Sequence, residues 1–192
     1  MIEYLKMVSD DYDCLEKLCR EYLDNGSMLH DRIIEVFNDS STISLKAVDT
    51  DTGEIVAIMI YTKGIAFSCD NEYVIKKVTD YVGDTDVYTG EAFLVRPEYR
   101  KSGIAYDMQQ KMKDFLEEKK AKTGRETILL HEMWVYPDGK IPAYRSAKEI
   151  YGISEDLGII EHFYKDYYKQ GHLCPICGKN CVCSARITLS RI

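Results

Sequence analysis

The sequence contains no long apolar run, no excess of positive charge and no secretory pattern at its beginning. No apolar run reaches the roughly 20 residues that a membrane-spanning helix needs. Charge interrupts the opening MIEYLKMVSDD from Glu3 onward, unlike in a signal peptide. The formal net charge of −7 disfavours nucleic acid and anionic membranes as main partners, because both attract basic patches. We therefore expect a cytoplasmic protein that binds neither.

The composition is that of an ordinary globular chain. Its 192 residues are 45% hydrophobic and 30% charged, enough to bury one large core, so we expect residues 1–192 to form a single domain. Hydrophobic spacing predicts a mixed α/β fold. The predicted strands are residues 2–8, two strands within 43–62 joined by a turn at 49–53, 91–95, 127–135 and 181–192. The predicted helices run from an N-cap at Ser9 to an end at Asn25-Gly26, over 29–37, 72–82 and 103–119, and from Pro142 towards Gly171.

One turn, VRPEYRKSGIA at residues 95–105, lies between a predicted strand and a predicted helix. Gly103 lets the backbone come close to a ligand, and the first N–H groups of a helix have no partner inside it. Arg100 and Lys101 add positive charge. The turn therefore predicts an anion site, here for the pyrophosphate of a coenzyme. The alternative is an ordinary strand-to-helix turn with solvated basic residues.

The same residues resemble the acetyl-CoA motif of the GNAT N-acetyltransferase superfamily, which reads Arg or Gln, two residues, Gly, one residue, then Gly or Ala. Arg100, Gly103 and Ala105 fill these places, and Val95 and Pro97 precede them as in the family. The order of predicted elements also resembles the family. No Gly-x-Gly-x-x-Gly follows the first strand, as a dinucleotide-binding fold would require.

The resemblance implies a GNAT-like mixed central sheet flanked by helices, and acetyl-CoA as the acetyl donor. It implies that the pantetheine arm lies between strands 91–95 and 127–135. The implied coenzyme-binding residues are Val95, Arg100, Lys101, Ser102, Gly103, Ile104 and Ala105. The family often has an Asn after the second of these strands, and the stretch VYPDGKIPAYRSAKE contains none.

Acetyl transfer to an amine needs a base, because a primary amine is mostly protonated at neutral pH. The family often carries a carboxylate where Glu91 opens its strand, and Glu132 holds the comparable place in LLHEMWV. His131 is a weaker third candidate, because neighbouring residues of a strand point to opposite faces. Each Glu has a plain alternative as a charge at the end of a strand.

The departing thiolate needs an acid, which the family supplies from a Tyr on the helix before the last pair of strands. In FYKDYYKQG the family spacing selects Tyr167, with Tyr164 and Tyr168 as alternatives. No Cys has a His and an orienting partner nearby in the sequence, so direct transfer to the amine is favoured over an acyl-Cys intermediate.

Four of the seven cysteines lie in HLCPICGKNCVCS, residues 172–184, which we call the cysteine loop. The Cys-Pro-x-Cys-Gly turn at Cys174 and Cys177 is typical of a zinc knuckle. Cys181 and Cys183, two apart on a strand, share a face. Four thiolates complete a tetrahedral Zn²⁺ shell, so the sequence predicts a structural zinc hairpin. Unbound thiols, disulfides and His172 as a substitute ligand remain alternatives.

Two functions stay open at this point. The first is an N-acetyltransferase acting on an amine of a small molecule or protein; its acidic surface favours a cationic acceptor, and it is a possible homodimer. The second is a non-catalytic module that binds coenzyme or a protein partner on the same scaffold. A zinc-ribbon nucleic-acid binder is disfavoured by the net charge of −7.

Overall fold

A computed structural model describes residues 1–23, 34–36, 38–65 and 72–192. Its strands are β1 Ile2–Lys6, β2 Ile43–Asp49, β3 Glu54–Lys63, β4 Asp86–Val95, β5 Thr127–Val135, β6 Glu155–Ile160 and β7 Ser184–Arg191. Its helices are α1 Tyr12–Tyr22, α2 Glu72–Val82, α3 Ile104–Thr123 and α4 Tyr144–Tyr151, with 3-10 turns at Ser9–Asp11, Pro97–Tyr99 and Tyr167–Gln170. No helix in these ranges is both long enough and apolar enough to span a bilayer.

The strands form one mixed sheet of seven in the order β1-β2-β3-β4-β5-β7-β6, which confirms the predicted mixed α/β class. β4 and β5 are parallel, whereas β2 pairs antiparallel with β1 and β3, and β7 pairs antiparallel with β5 and β6. The β4–β5 ladder joins Asp86–Thr89 to Thr127–Leu130. Both strands continue past this ladder, β4 to Val95 and β5 to Val135.

The chain divides into two compact units, so the single domain expected from sequence stays a prediction. The first unit comprises Met1–Thr62, Glu91–Met108 and Asp166–Cys181. Its core gathers the apolar stripe of α1 and buried residues of β3 and β4. The cluster contains Met7, Leu15, Leu18, Cys19, Val36, Ile55, Ile58, Ile60 and Leu94. β3 is buried from Ile55 to Thr62, which explains its almost continuous apolar run.

The second unit comprises Lys63–Gly90, Gln109–Lys165 and Val182–Ile192. Its central pair is β5 with β7, in register from Ile128↔Arg191 to Val135↔Ser184. Side chains of both strands are fully buried, among them Ile128, Leu130 and Leu189. Helix α2 buries Val74, Val78 and Val82 at helical spacing.

Several predicted elements are confirmed. α2 and β5 have the predicted bounds, and β2 and β3 form the predicted hairpin. β4 is longer than predicted, since it begins at Asp86 rather than Glu91. Ser9 does not cap the first helix but opens a 3-10 turn, where the Val8 N–H donates to Asp11 at 2.8 Å. The predicted helix end at residues 25–26 lies outside the described residues, as do 29–33 and 37 of the next helix, whereas 34–36 are helical.

The predicted helical stretch from Pro142 towards Gly171 is confirmed over Tyr144–Tyr151 and is wrong beyond it. α4 ends at Gly152, which has φ of +71°, a backbone conformation that stops a helix. Residues Glu155–Ile160 then form β6, paired with β7. Residues 155–160 form a strand because they pair with a strand that is distant in the sequence. Hydrophobic periodicity along the sequence does not reveal such pairing.

Candidate active site

The 95–105 turn is closed by three short contacts of its own. The Arg100 N–H donates to the Pro97 carbonyl at 3.2 Å, and Arg100 Nε donates to the Val95 carbonyl at 3.0 Å. The Ser102 hydroxyl donates to the Tyr99 carbonyl at 2.5 Å. Two of the implied coenzyme-binding residues, Arg100 and Ser102, therefore shape the turn as well as facing solvent.

The end of this turn has the backbone features of an anion site. The N–H of Asp107 donates to the Gly103 carbonyl at 3.0 Å, so Gly103 is the last residue before the helix. Helical geometry leaves the N–H groups of Ile104, Ala105 and Tyr106 without an acceptor in the helix. Gly103 has φ of +92°, and no atom lies within 4 Å of where a Cβ would stand. The turn thus combines N–H groups that have no acceptor inside the helix, the helix dipole and two basic residues.

Side chains from distant parts of the first unit hold the turn in place. The Tyr99 hydroxyl donates to Asp49 at 2.8 Å, and Arg96 pairs with Glu54 at 3.1 Å. The pKa of Asp49 is lowered, chiefly by the Asp51 N–H and then by Tyr99. In the first turn of α3, Asp107 accepts a hydrogen bond from the Tyr4 hydroxyl at 2.7 Å. Sequence reasoning missed these partners, because nothing local in the chain pairs residues so far apart.

Glu91 lies in β4, two residues beyond Thr89, the last residue of the β4–β5 ladder. Its side chain is half-buried, and the Thr62 hydroxyl donates to its Oε1 at 2.7 Å. This contact, within the first unit, orients the carboxylate from the end of β3. Glu91 is thus a positioned carboxylate on the strand that leads into the turn.

Glu132 and His131 lie in β5, in the second unit, and have different environments. His131 is buried and its ring stacks on Tyr151, with centroids 5.4 Å apart. Burial lowers the pKa of His131 to about 4, so the ring is neutral at pH 7. Glu132 is half-buried and is likewise two residues past the last ladder residue of its strand, Leu130. The packing of His131 favours a structural role for it.

Tyr167 opens the 3-10 turn Tyr167–Gln170, not the helix that the resemblance implies. Its hydroxyl oxygen is buried, and its ring lies 5.4 Å from that of His172. The His172 N–H donates to the Tyr167 carbonyl at 3.1 Å. Of the alternatives, Tyr168 is exposed, and Tyr164 packs against Trp134 with centroids 5.6 Å apart.

The cysteine loop brings its four cysteines together. The sulfurs of Cys174, Cys177, Cys181 and Cys183 all lie within 4.8 Å of one another. The Cys177 N–H donates to Cys174 Sγ at 3.4 Å, and the Gly178 N–H donates to the Cys174 carbonyl at 2.8 Å. None of the six cysteines that the structure describes is in a disulfide; Cys69 lies outside the described residues. The cluster does not include His172.

Known proteins resemble this chain in fold but not in sequence. No protein-family model and no curated protein matches the sequence. Among solved structures, NAA60 of Arabidopsis thaliana in complex with a bisubstrate analogue is similar at a TM-score of 0.68 and 16% identity, over 100% of this chain and 99% of that one. The same protein in complex with acetyl-CoA gives a TM-score of 0.68 at 15% identity, with the same coverage.

Two further solved structures are similar to this chain over nearly its whole length. Mosquito arylalkylamine N-acetyltransferase like 5b has a TM-score of 0.61 at 11% identity, over 100% of both chains. A putative acetyltransferase of the GNAT family from Desulfovibrio desulfuricans has a TM-score of 0.56 at 11% identity, over 98% of both chains. The chain therefore has the fold of the GNAT N-acetyltransferases.

Proposed function

We propose that this protein is an acetyl-CoA-dependent N-acetyltransferase that moves the acetyl group directly from the thioester to an amine. The observation that carries the proposal is the open 95–105 turn, with Gly103 at φ of +92° and space where a side chain would stand. In a chain with the GNAT fold, the motif occupies the start of α3, where the first N–H groups have no acceptor inside the helix. The pyrophosphate would accept hydrogen bonds from these groups.

For the base we propose Glu91 ahead of Glu132. Glu91 belongs to the same unit as the turn and is oriented by the Thr62 hydroxyl at 2.7 Å. Its carboxylate would take a proton from the ammonium form of the acceptor, leaving a lone pair on nitrogen. Glu132, half-buried in β5, is the second candidate.

The chemical step then needs an acid, for which we propose Tyr167. The amine nitrogen attacks the thioester carbonyl carbon, the carbon–sulfur bond breaks, and the thiolate takes the Tyr167 hydroxyl proton. The new amide loses one proton to solvent, Tyr167 regains one, and Glu91 releases to solvent the proton it took from the ammonium group. The products are an N-acetyl amine, free coenzyme A and one proton, so atoms and charge balance. Proton transfers of this kind contribute roughly 10²–10⁴-fold to rate.

We propose an amine of a small molecule or of a protein as the acceptor, in the cytoplasm. The comparison proteins include an arylalkylamine N-acetyltransferase, which supports amine chemistry without selecting the acceptor. The net charge of −7 favours a cationic acceptor. Homodimer formation stays a prediction.

Calorimetric titration with acetyl-CoA tests the coenzyme site. Gly103→Ala adds a methyl group at a left-handed position in the turn, and we expect affinity to fall by about tenfold or more, since both backbone strain and lost N–H access act there. Gly124→Ala is the matched control, because Gly124 has φ of +68°, equal free space and a place after the far end of α3. Equal affinities in the two variants would remove the coenzyme site from this turn.

A non-catalytic module is the rival function, and thiol release with a panel of amines separates the two. An enzyme releases coenzyme A with at least one amine, and Glu91→Gln slows that release about 100-fold while acetyl-CoA affinity is kept. The rival binds acetyl-CoA and releases no thiol above the uncatalysed rate with any amine.

A further inference from the structure

We propose that Cys174, Cys177, Cys181 and Cys183 bind one Zn²⁺ ion, which fastens the cysteine loop and through it the turn that carries Tyr167. The four sulfurs already lie within 4.8 Å of one another. Tetrahedral Zn²⁺ with Zn–S bonds of about 2.3 Å places each pair of sulfurs about 3.8 Å apart. A contraction of about 1 Å or less therefore completes the site.

The backbone around the first two ligands has the form that a thiolate site needs. The Cys177 N–H donates to Cys174 Sγ at 3.4 Å, so a backbone dipole points at the sulfur. The chain folds back at once, with the Gly178 N–H on the Cys174 carbonyl at 2.8 Å and Gly178 at φ of +63°. Such N–H donors stabilise negative charge on sulfur, which favours the metal-binding form.

The number and burial of the ligands decide the kind of site. Cys181 and Cys183 are 6% and 0% exposed, whereas Cys174 and Cys177 are half-buried. Four thiolates at this spacing would repel one another strongly, and a single Zn²⁺ offsets half of their charge. Sulfur ligands at mutual distances that suit one ion favour zinc over an iron–sulfur cluster, which would hold its cysteines further apart. All four positions are filled by protein, so the ion is structural.

The loop is attached to Tyr167 by short contacts. Between Gly171 and Cys183 the described chain contains one isolated bridge, Cys174↔Gly178, and no strand or helix. His172, two residues before the first ligand, donates from its N–H to the Tyr167 carbonyl at 3.1 Å and lies against the Tyr167 ring. A metal cross-link at Cys174 thus restrains His172 and the position of Tyr167. Only this last consequence rests on the proposed function.

Metal analysis of the full-length protein, purified without chelators, tests the site. We expect one zinc per chain by elemental mass spectrometry, and a tetrahedral thiolate spectrum after replacement by Co²⁺. Cys177→Ser removes a half-buried ligand and should lower the zinc content at least tenfold, whereas Cys14→Ser, the control outside the cluster, should keep one zinc. Hydrogen exchange of the peptide covering 166–183 should be slower with zinc than after chelation.

The proposal is overturned by wild-type protein that holds no zinc and gives no tetrahedral Co²⁺ spectrum, by iron in zinc's place, or by disulfides among the four cysteines in non-reducing mass spectrometry. The wild-type measurements decide even where Cys177→Ser does not fold. Acetyl-CoA titration of the same samples reports on the coenzyme site separately. Zinc without acetyl-CoA binding leaves the metal site standing and removes the enzymatic function.

Discussion

The 95–105 turn and the cysteine loop, the two proposed ligand sites, are built in opposite ways. The turn is held by residues far along the chain, since Tyr99 bonds to Asp49 and Arg96 pairs with Glu54. In the cysteine loop, hydrogen bonds join residues a few positions apart, such as Gly178 to Cys174 and His172 to Tyr167. The first site offers backbone N–H groups, and the second offers side-chain sulfurs.

Because of this difference, we expect the fold to hold the turn in its conformation and the bound metal ion to hold the cysteine loop. The fold pre-forms the turn, so acetyl-CoA bound as proposed would meet N–H groups already in position, which would lower the entropic cost of binding. In the cysteine loop the proposed ion is itself the cross-link, and its binding free energy contributes to the folding of the loop. The two sites should therefore respond independently to their ligands.

Removal of the metal should give the largest effect and show this independence. We expect chelation to lower kcat about 100-fold, because Tyr167 loses the restraint on its position and proton transfer to the thiolate slows. Acetyl-CoA affinity should stay within about twofold of the untreated protein, since the turn keeps its own contacts. Steady-state thiol release and calorimetry on one preparation measure the two quantities.

Two controls sharpen that result. Gly103→Ala should show the reverse pattern, with weaker acetyl-CoA binding and a full zinc content. Chelator added to Tyr167→Phe should cause little further loss of kcat, because the group that the metal positions is already gone. A parallel fall of kcat and acetyl-CoA affinity after chelation would show one cooperative site where we expect two.

A smaller effect is expected from Tyr99→Phe, which removes a hydroxyl that anchors the turn to Asp49 at 2.8 Å. We expect acetyl-CoA to bind about threefold more weakly, as for the loss of one hydrogen bond to a partly exposed carboxylate. Zinc content should not change. Tyr73→Phe is the control, because Tyr73 is exposed on α2 in the other unit.

The pH dependence of this variant has a defined sign. Hydrogen bonds from the Asp51 N–H and the Tyr99 hydroxyl lower the folded-state pKa of Asp49 below the usual value of an aspartate. A carboxylate whose pKa is lower in the folded protein stabilises the fold at pH values above its unfolded-state pKa. This stabilisation is lost as the pH falls through the folded-state pKa. Urea unfolding should therefore separate wild type from Tyr99→Phe above pH about 5, and the difference should shrink below pH about 4. A stability difference between wild type and Tyr99→Phe that grows as the pH falls would show that the contact does not stabilise the fold through the Asp49 carboxylate.

The sequence predicted local structure well where short-range chemistry decides it. Gly103 and the basic residues before it marked the turn, and the spacing of Cys174 and Cys177 marked the knuckle. The structure confirms a turn at the start of a helix and a gathering of four sulfurs. In both places the motif spans a few residues, so the pattern marks the site, although it does not report the contacts from Asp49 and Glu54 that hold the turn.

Long-range pairing was the part that the sequence did not predict. β6 was missed because its pairing partner, β7, lies about 30 residues later, and the 3-10 turn at Tyr167 was taken for a helix. The contact between Thr62 and Glu91 joins residues 29 apart. A hydrophobic period of 2 or 3.6 residues does not predict such contacts, because they depend on which strands become neighbours in the sheet.

The smallest expected effect comes from that last contact. Thr62→Val removes the hydroxyl that donates to Glu91 Oε1 and keeps the size of the side chain. If Glu91 is the base, the loosened carboxylate should lower kcat about twofold with little change in acetyl-CoA affinity, because orientation rather than charge is lost. Thr79→Val, at an exposed position of α2, is the isosteric control. An unchanged kcat in Thr62→Val, together with a large loss in Glu132→Gln, would transfer the role of base from β4 to β5.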